Sequence, residues 1–469
     1  TVEQEASVIG TLRASGYTRG ELTRHYLVVP TLVTFTAAVI GNILGYTAMK
    51  NVVMNMYYHS YSLPPYQTLW NGDAFILTTV IPCIIITLIN LFVIAKALRL
   101  PPLQFLRHDF HMKKKKKAAK LPNFRFLTRF RLRIILQNIP SYIIMVFGIM
   151  FAGLLLFFGL ALNPLLANYK TEVVNNMICD YQYVMKAPVE TSNDAAEKFC
   201  MTTLYESNDE EISAYGIEED SEYLSKVNIP KKKNEVVASQ GYLEKYSLKV
   251  GDRVTLKDKY GENKYTFKIV GSYYYPASLC VFMTNDNFND IFDKDDGYFT
   301  GYFSNEKLKD IDDKYIATTI TQKDLTTVTD QLDDSMGMSF TLLVGFSVLI
   351  YIILMYLLSK LVIEKNEQNI SMLKILGYSN REASKLYNRA TTVVTIGAIL
   401  VSVPLIYYVF AGLYHYFMFE MKGWLPYVVP WYVFVEMAVI GIICYAIIYF
   451  ILQKKINKIK LSQALKSDD

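Results

Sequence analysis

The sequence predicts a polytopic α-helical membrane protein with six transmembrane helices and an extracytoplasmic α+β domain inserted between the third and the fourth. Three observations carry this prediction. The chain has 469 residues, of which 52% are hydrophobic, and charged residues avoid several runs of about twenty residues or more. The region between the third and fourth runs has strand-like patterns separated by turn residues. Basic and acidic residues are segregated along the chain.

The six apolar runs predict the membrane spans. Each is long enough to cross a hydrocarbon layer as a helix, and none has the features of a cleavable signal peptide. The predicted spans are 27–49, 74–98, 137–162, 338–362, 391–418 and 430–452.

The charge distribution predicts the topology. Thirteen Lys or Arg and one acid lie between Lys96 and Ile135, whereas 31 acids and 19 bases lie between Pro164 and Gly337. Basic loops remain in the cytoplasm, so 1–26, 99–136, 363–390 and 453–469 are expected inside. The expected location is a plasma membrane, with the basic run Lys113–Lys117 beside anionic lipid rather than nucleic acid.

A stretch near the beginning of the chain returns near its end, which predicts an internal duplication. Glu3–Tyr26 aligns with Glu364–Tyr387 at an offset that places Gly16 on Gly377. Two apolar runs follow each copy, and each copy then ends in a similar tail, Gln104–Arg107 and Gln463–Lys466.

Each copy predicts a short amphipathic helix, a glycine break and a second helix that continues into the membrane. In the first copy Val8, Ile9 and Leu12 recur at helical spacing, Gly16 ends the helix, and Thr18 with Glu21 forms a capping box. In the second copy either Ser379 or Asn380 fits the cap. A single copy would equally fit a helix that rests on lipid, but two copies favour a mechanical role in each half.

The insertion predicts a mixed domain with strands near 235–238, 253–256 and 265–271 and short helices near 241–247 and 286–293. The preceding span is expected to end at Asn163–Pro164. Cys179 and Cys200 are candidates for a disulfide. Either could also pair with Cys280, and free thiols are the alternative.

No motif for catalysis is present in the sequence. The P-loop pattern and the H-E-x-x-H and C-x-x-C patterns are all missing, so the chain is not expected to carry its own Walker-type nucleotide site. His108 and His111 lie in a basic stretch that repels cations, which argues against a metal site. No metal, cofactor or enzyme activity is therefore expected in this chain.

Two stretches, Ile9–Thr18 and Ile370–Ser379, share the pattern I-x-x-L-[RK]-x-x-G-Y-[ST], and paired spans follow each of them. In these features the chain resembles the FtsX/MacB-type permease subunits of ABC transporters. Glu235–Tyr242 and Leu248–Val254 are similar to the MacB-like outer domain. Because each family unit begins with a stem span and an outer domain, the first half is expected to lack an upstream segment.

The resemblance implies this division of the chain: 1–107 a first permease unit, 108–136 a basic linker, 137–162 a stem span, 163–337 the MacB-like domain, and 338–469 a second permease unit. It implies that two ATPase subunits, which would bind the ATP and Mg²⁺, dock on the two short cytoplasmic helices, called coupling helices in the family. It also implies an accessory outer protein as a further partner. The implied docking residues are Val8, Ile9, Leu12, Arg13, Gly16, Tyr17, Ile370, Leu373, Lys374, Leu376, Gly377 and Tyr378.

Three functions fit this organisation. The first is a bacterial permease that exports or extracts a peptide, lipid or lipoprotein-like substrate through ATP-driven movement of its outer domain. The second is a signalling subunit that controls a cell-wall hydrolase or senses antimicrobial peptides. The third is a receptor without an ATPase, against which the two equivalent cytoplasmic helices argue.

Overall fold

The computed structural model describes residues 5–106, 122, 126–260 and 262–457. It divides into two compact units, Thr1–Asn123 and Phe124–Asp469. The tail Gln463–Lys466, the run Lys113–Lys117 and the pair His108 and His111 lie outside the described residues.

Six helices in the described residues are long and apolar enough to cross a membrane, which confirms the predicted number. Each overlaps one predicted span and extends beyond it at one or both ends. They occupy Arg19–Tyr58, Gly72–Ala97, Ile139–Asn175, Gln322–Lys365, Asn380–Glu420 and Trp431–Asn457.

The first unit is a helical hairpin with a short helix at its base. Polar side chains join the two long helices. The hydroxyl oxygens of Thr31 and Thr87 lie 3.3 Å apart, and the Asn42 amide donates to the Thr79 hydroxyl at 2.7 Å. Each long helix also contains one π-helical turn, at Gly45–Met49 and Ile76–Val80. The α-helices are α1 (Ala6–Ala14), α2 (Arg19–Leu44), α3 (Lys50–Ser60), α4 (Gly72–Phe75), α5 (Ile81–Ala97) and α6 (Pro102–Leu106).

The second unit is a helical bundle that carries the inserted domain. Its α-helices in the bundle are α7 (Phe126–Gln137), α8 (Ile139–Asn175), α11 (Gln322–Lys365), α12 (Glu367–Ile375), α13 (Asn380–Glu420) and α14 (Trp431–Asn457). The two stems, α8 and α11, pack closely because glycines face larger side chains. A Cβ added at Gly148 would lie 2.8 Å from Leu358, and one at Gly159 would lie 2.8 Å from Val344.

Two features of this bundle differ from the sequence predictions. The third long helix does not end at Asn163–Pro164 but continues to Asn175, with Pro164 inside it. Part of the predicted linker is also helical, because Phe130 of α7 packs edge-on against Tyr387 of α13 at 6.0 Å. At Pro164 tertiary packing overrides a local signal for a break.

The inserted domain, residues 176–321, contains a nine-stranded mixed sheet and two short helices, which confirms the predicted α+β class. The strands follow the order β3-β7-β4-β6-β5-β2-β8-β1-β9, with a further pairing between β2 and β3. Only β3–β7 and β4–β6 are parallel. The strands are β1 (Tyr181–Met185), β2 (Glu197–Tyr205), β3 (Glu211–Ile217), β4 (Glu235–Ser239), β5 (Arg253–Lys257), β6 (Lys264–Tyr273), β7 (Cys280–Thr284), β8 (Gly301–Ser304) and β9 (Ile316–Thr321).

The predicted strands and helices of the insertion are confirmed as β4, β5, β6, α9 (Gln240–Tyr246) and α10 (Asn285–Phe292). Strand β7 is buried along its whole length, so its side chains contribute to a core on each face of the sheet. Val281 lies in one core, and Phe282 lies in the other with Phe199 and Phe303. This burial on both faces explains why the strand has no alternating pattern.

The disulfide between Cys179 and Cys200 is not formed in the structure. The Cys179 thiol donates to the carbonyl of Tyr181 at 3.2 Å, whereas the Cys200 thiol donates to the carbonyl of Tyr298 at 3.0 Å. Cys280 is also a free, buried thiol. Burial raises the pKa of each of these three thiols to about 12. The alternative of free thiols is therefore the one that the structure contains.

Candidate partner-docking site

The first short helix ends at a Schellman motif built around Gly16. The N–H of Gly16 donates to Arg13 and the N–H of Tyr17 donates to Leu12, which satisfies two carbonyls at the helix end. Gly16 has a φ of +101°, a left-handed conformation that glycine adopts at little cost. Thr18 then caps α2 through a capping box with Glu21, as predicted.

The second short helix repeats this geometry. Gly377 has a φ of +92°, its N–H donates to Lys374, and the N–H of Tyr378 donates to Leu373. Ser379 is the cap of α13, since its hydroxyl accepts from the N–H of Glu382 and the Glu382 carboxylate accepts from the Ser379 N–H. Of the two caps that the sequence allowed, the structure therefore contains Ser379, so both copies have the same cap.

The most apolar face of each short helix is turned towards the chain itself. Ile9 and Ile370 are both 0% exposed, and Leu12 and Leu373 are half-buried. We predicted that these four side chains would be anchors for a partner. Ile9 and Ile370 are unavailable as contacts because they lie in hydrophobic clusters of their own units.

In the first unit, the tail after α5 covers the short helix. Phe105 is completely buried in the same cluster as Ile9, and a Cβ added at Gly10 would lie 2.9 Å from the Leu106 side chain. The tail Gln104–Arg107, which the sequence repeats, thus begins with residues that hold α1 in place. Its structural role is packing against α1.

In the second unit, a polar contact also fixes the short helix. The Lys374 ammonium donates to the carbonyl of Ile456 at 2.9 Å, close to the end of α14. Partial burial lowers the pKa of this lysine. Lys374 is therefore an internal contact, whereas the sequence placed it at the rim of a partner interface.

A different face of each short helix is exposed, and the two faces differ in composition. In the second copy Met372 is 53% exposed, Ile375 50%, Leu376 70% and Tyr378 37%. In the first copy the exposed positions include Val8, Thr11, Ala14, Ser15 and Tyr17. Met372, Ile375 and Leu376 therefore have Thr11, Ala14 and Ser15 as their counterparts.

Sequence reasoning named Leu376, Val8 and both tyrosines but missed Met372 and Ile375. A helical wheel selects the most apolar face, and here the chain's own helices cover that face. The signal that was present is the second apolar stripe formed by Met372, Ile375 and Leu376. A stripe left over after the core face has been assigned indicates a further contact.

No group of three or more His, Cys, Asp or Glu side chains within the described ranges is placed to hold a metal ion. The exposed surfaces of α1 and α12 are apolar and hydroxyl-bearing.

Six long apolar helices, two short helices with matching glycine ends and an inserted sheet domain define a multi-pass membrane protein. Residues 1–102 and 341–461 match the family model of the FtsX-like permease C-terminal domain, and these two segments belong to that family. Members of the family are membrane permease subunits that work with ABC ATPases. A comparison with curated proteins gave no match.

Proposed function

We propose that this chain is the permease subunit of an ABC transporter that couples ATP hydrolysis in a partner ATPase to movement of the inserted domain. The observation that carries this proposal is the pair of short helices with matching geometry, α1 and α12. Each is held by its own unit through one face and exposes the other. Two such elements suit two copies of one ATPase, as expected of an internally duplicated chain.

The exposed faces are the docking surfaces in this proposal. Apolar side chains from a short helix fit a groove of a partner and contribute most of the contact energy. Met372, Ile375, Leu376 and Tyr378 serve the second copy, and Val8 and Tyr17 serve the first. The covered face of each short helix transmits the movement of the docked helix to the rest of its own unit. The residues of this face are Ile9 in the first unit and Ile370, Leu373 and Lys374 in the second.

Continuous helices support the transfer of that movement. Stem α8 has 37 residues and α11 has 44, so each extends beyond a hydrocarbon layer about 30 Å thick. Strand β9 ends at Thr321 and α11 begins at Gln322, so no linker separates sheet from stem. A displaced stem would therefore carry the sheet with it.

The charge distribution supports the orientation. The basic segments beside the spans favour α1 and α12 in the cytoplasm, where ATP is available, and the inserted domain outside. Its excess of acidic residues favours positively charged ligands, so an amphipathic cationic peptide is our first choice among the peptide, lipid and lipoprotein substrates. The membrane would be the plasma membrane of a bacterium.

Affinity purification of the full-length protein from its native membrane tests the proposal. The expected result is an ABC ATPase in the eluate, at about two copies per chain, whose hydrolysis rate depends on the permease. Recovery of the protein without any nucleotide-binding subunit, under conditions that preserve membrane complexes, would overturn it and favour the receptor.

A further inference from the structure

The inserted domain has a second attachment to the bundle, separate from its two stems. The loop between α13 and α14, residues 421–430, contacts α9 of the inserted domain. The ammonium of Lys245 on α9 donates to the carbonyl of Met421 at 2.6 Å and to that of Gly423 at 3.0 Å. It also forms an ion pair with Glu210 at 3.0 Å.

The ion pair is buried on both sides. The side chains of Lys245 and Glu210 are 0% and 7% exposed. Glu210 lies in the turn between β2 and β3, and its second carboxylate oxygen accepts from the N–H of Gly423 at 2.6 Å. Gly423 has a φ of +80°, which glycine allows and which shapes the loop around the two charges.

Aromatic side chains close the contact around this pair. The indole N–H of Trp424 donates to Glu244 at 2.9 Å. A Cβ added at Gly241 would lie 3.2 Å from the Trp424 ring. Phe419, at the end of α13, packs edge-on against Tyr246 at 5.6 Å. Each of these three contacts joins α9 to the end of α13 or to the loop that follows it.

The hydrogen bonds of Lys245 attach the inserted domain to the α13–α14 loop rather than stabilise the core of the domain itself. An ammonium has three N–H donors, and here three acceptors surround it. Two of them are carbonyls of the α13–α14 loop. A buried charge is costly without such partners, so separating the loop from the domain would leave Lys245 and Glu210 to be rehydrated.

The position of the loop gives this attachment its consequence. Helix α13 runs without interruption from Asn380 to Glu420, about 60 Å at the rise of an α-helix. It begins three residues after Gly377, and Met421 follows its last residue. The short helix α12 and the Lys245 contact therefore lie at opposite ends of one helix.

We infer that Lys245, with Glu210 and the carbonyls of Met421 and Gly423, forms a rigid joint through which α13 moves the inserted domain. We call these four residues the Lys245 joint. Lys245 is a positioning residue, since it acts by fixing the loop. The source of the movement rests on the proposed function, whereas the rigidity of the joint does not.

The joint changes what the domain can do. The stems enter the domain before β1 and leave it after β9, whereas the joint holds α9 and the β2–β3 turn. A body held only by its stems can rock about them. A third attachment, fixed to the helix that follows α12, makes the domain follow α13.

The first experiment tests the joint itself, in the full chain in lipid nanodiscs without nucleotide. Amide exchange is measured at Gly423 in Lys245→Met, with Lys249→Met as the matched control because Lys249 is exposed near the same helix. We expect exchange at least about tenfold faster in Lys245→Met, and no change in the control. The loop loses the ammonium from which its two carbonyls accept, and Glu210, which accepts from the Gly423 N–H, loses its buried counter-ion. Equal exchange in both variants would overturn the joint.

A charge exchange separates the joint from a simple ion pair. The double variant Lys245→Glu with Glu210→Lys restores opposite charges but places a carboxylate beside the Met421 and Gly423 carbonyls. We expect the Gly423 amide to exchange as fast in this double variant as in Lys245→Met. Full recovery would show that the pair alone matters and would overturn the role of the loop carbonyls.

The second experiment tests transmission. Spin labels at Lys226→Cys in the inserted domain and Lys422→Cys in the loop report the distance between them, and both sites are exposed. With the co-purifying ATPase, ATP should leave this distance unchanged in the parent chain and shift it in Lys245→Met. An ATP-independent distance in both chains overturns transmission through the joint if ATP still moves the stems. If ATP moves no part of the parent chain, the proposed function fails and the joint, judged by exchange, still stands.

Discussion

Replacing Leu376 by alanine should weaken ATPase binding without weakening the fold. Leu376 lies at the end of α12 and is 70% exposed. Complete burial of a leucine side chain contributes roughly 1.5–3 kcal/mol. Docking that covers the exposed part would contribute about 1–2 kcal/mol, so Kd should rise about fivefold to thirtyfold. The free energy of unfolding should change by less than about 0.5 kcal/mol.

Two further variants make this measurement specific. Leu376→Met conserves volume and apolar character, so it should bind nearly as tightly as the parent chain. Ile370→Ala, at a position with 0% exposure, should instead destabilise the fold by about 2–5 kcal/mol. It should impair docking only through loss of structure.

The assay is binding of the co-purified ATPase to immobilised nanodiscs that hold the full chain, with thermal unfolding of the same samples. An unchanged Kd for Leu376→Ala, in a protein of unchanged stability, would refute the assignment of this exposed face. It would mean that the partner binds elsewhere or that α12 rests on lipid.

Three further predictions follow from local geometry. The three cysteines of the inserted domain should resist maleimide at pH 8 in the native protein and react after denaturation, because their pKa is raised to about 12; rapid labelling of the folded chain would contradict their burial. Gly377→Ala should cost about 1–2 kcal/mol of stability because φ is +92°, whereas Gly397→Ala, inside a helix with open space around it, should not destabilise, as thermal unfolding of both variants will show. Hydrogen bonds from the N–H of Ser192 and from the hydroxyls of Thr191 and Ser192 lower the pKa of Asp310 to about 2. This carboxylate therefore stabilises the fold above its unfolded pKa of about 4, and the contribution is lost as pH falls towards 2. The protection factor of the Ser192 amide, which removes the intrinsic pH dependence of exchange, should fall over that range in the parent chain and be low throughout in Asp310→Asn.

The local signals in the sequence were strong where a backbone conformation depends on a few adjacent residues. Gly16 and Gly377 take the left-handed conformation, which is strained for any residue that carries a Cβ. Thr18 with Glu21 forms the predicted capping box. Runs of apolar residues long enough to cross a membrane gave the six helices. Strand-like runs of residues separated by turn residues predicted the α+β class of the inserted domain.

Tertiary structure decided which face of each element is covered. By sequence alone, Ile9 and Ile370 fit an exposed docking face and a buried face equally well. In the structure, Ile9 is buried in a cluster with Phe105 of the tail, and Ile370 is buried among the helices of the bundle. Pro164 is a local signal for a helix end, yet packing between the stems carries α8 through it. The sequence contains no mark that joins Lys245 to Gly423, because residues 178 positions apart meet only when the sheet, α9 and the α13–α14 loop have folded together. Backbone preferences are local and can be read along the chain, whereas burial depends on what other segments bring to the same place.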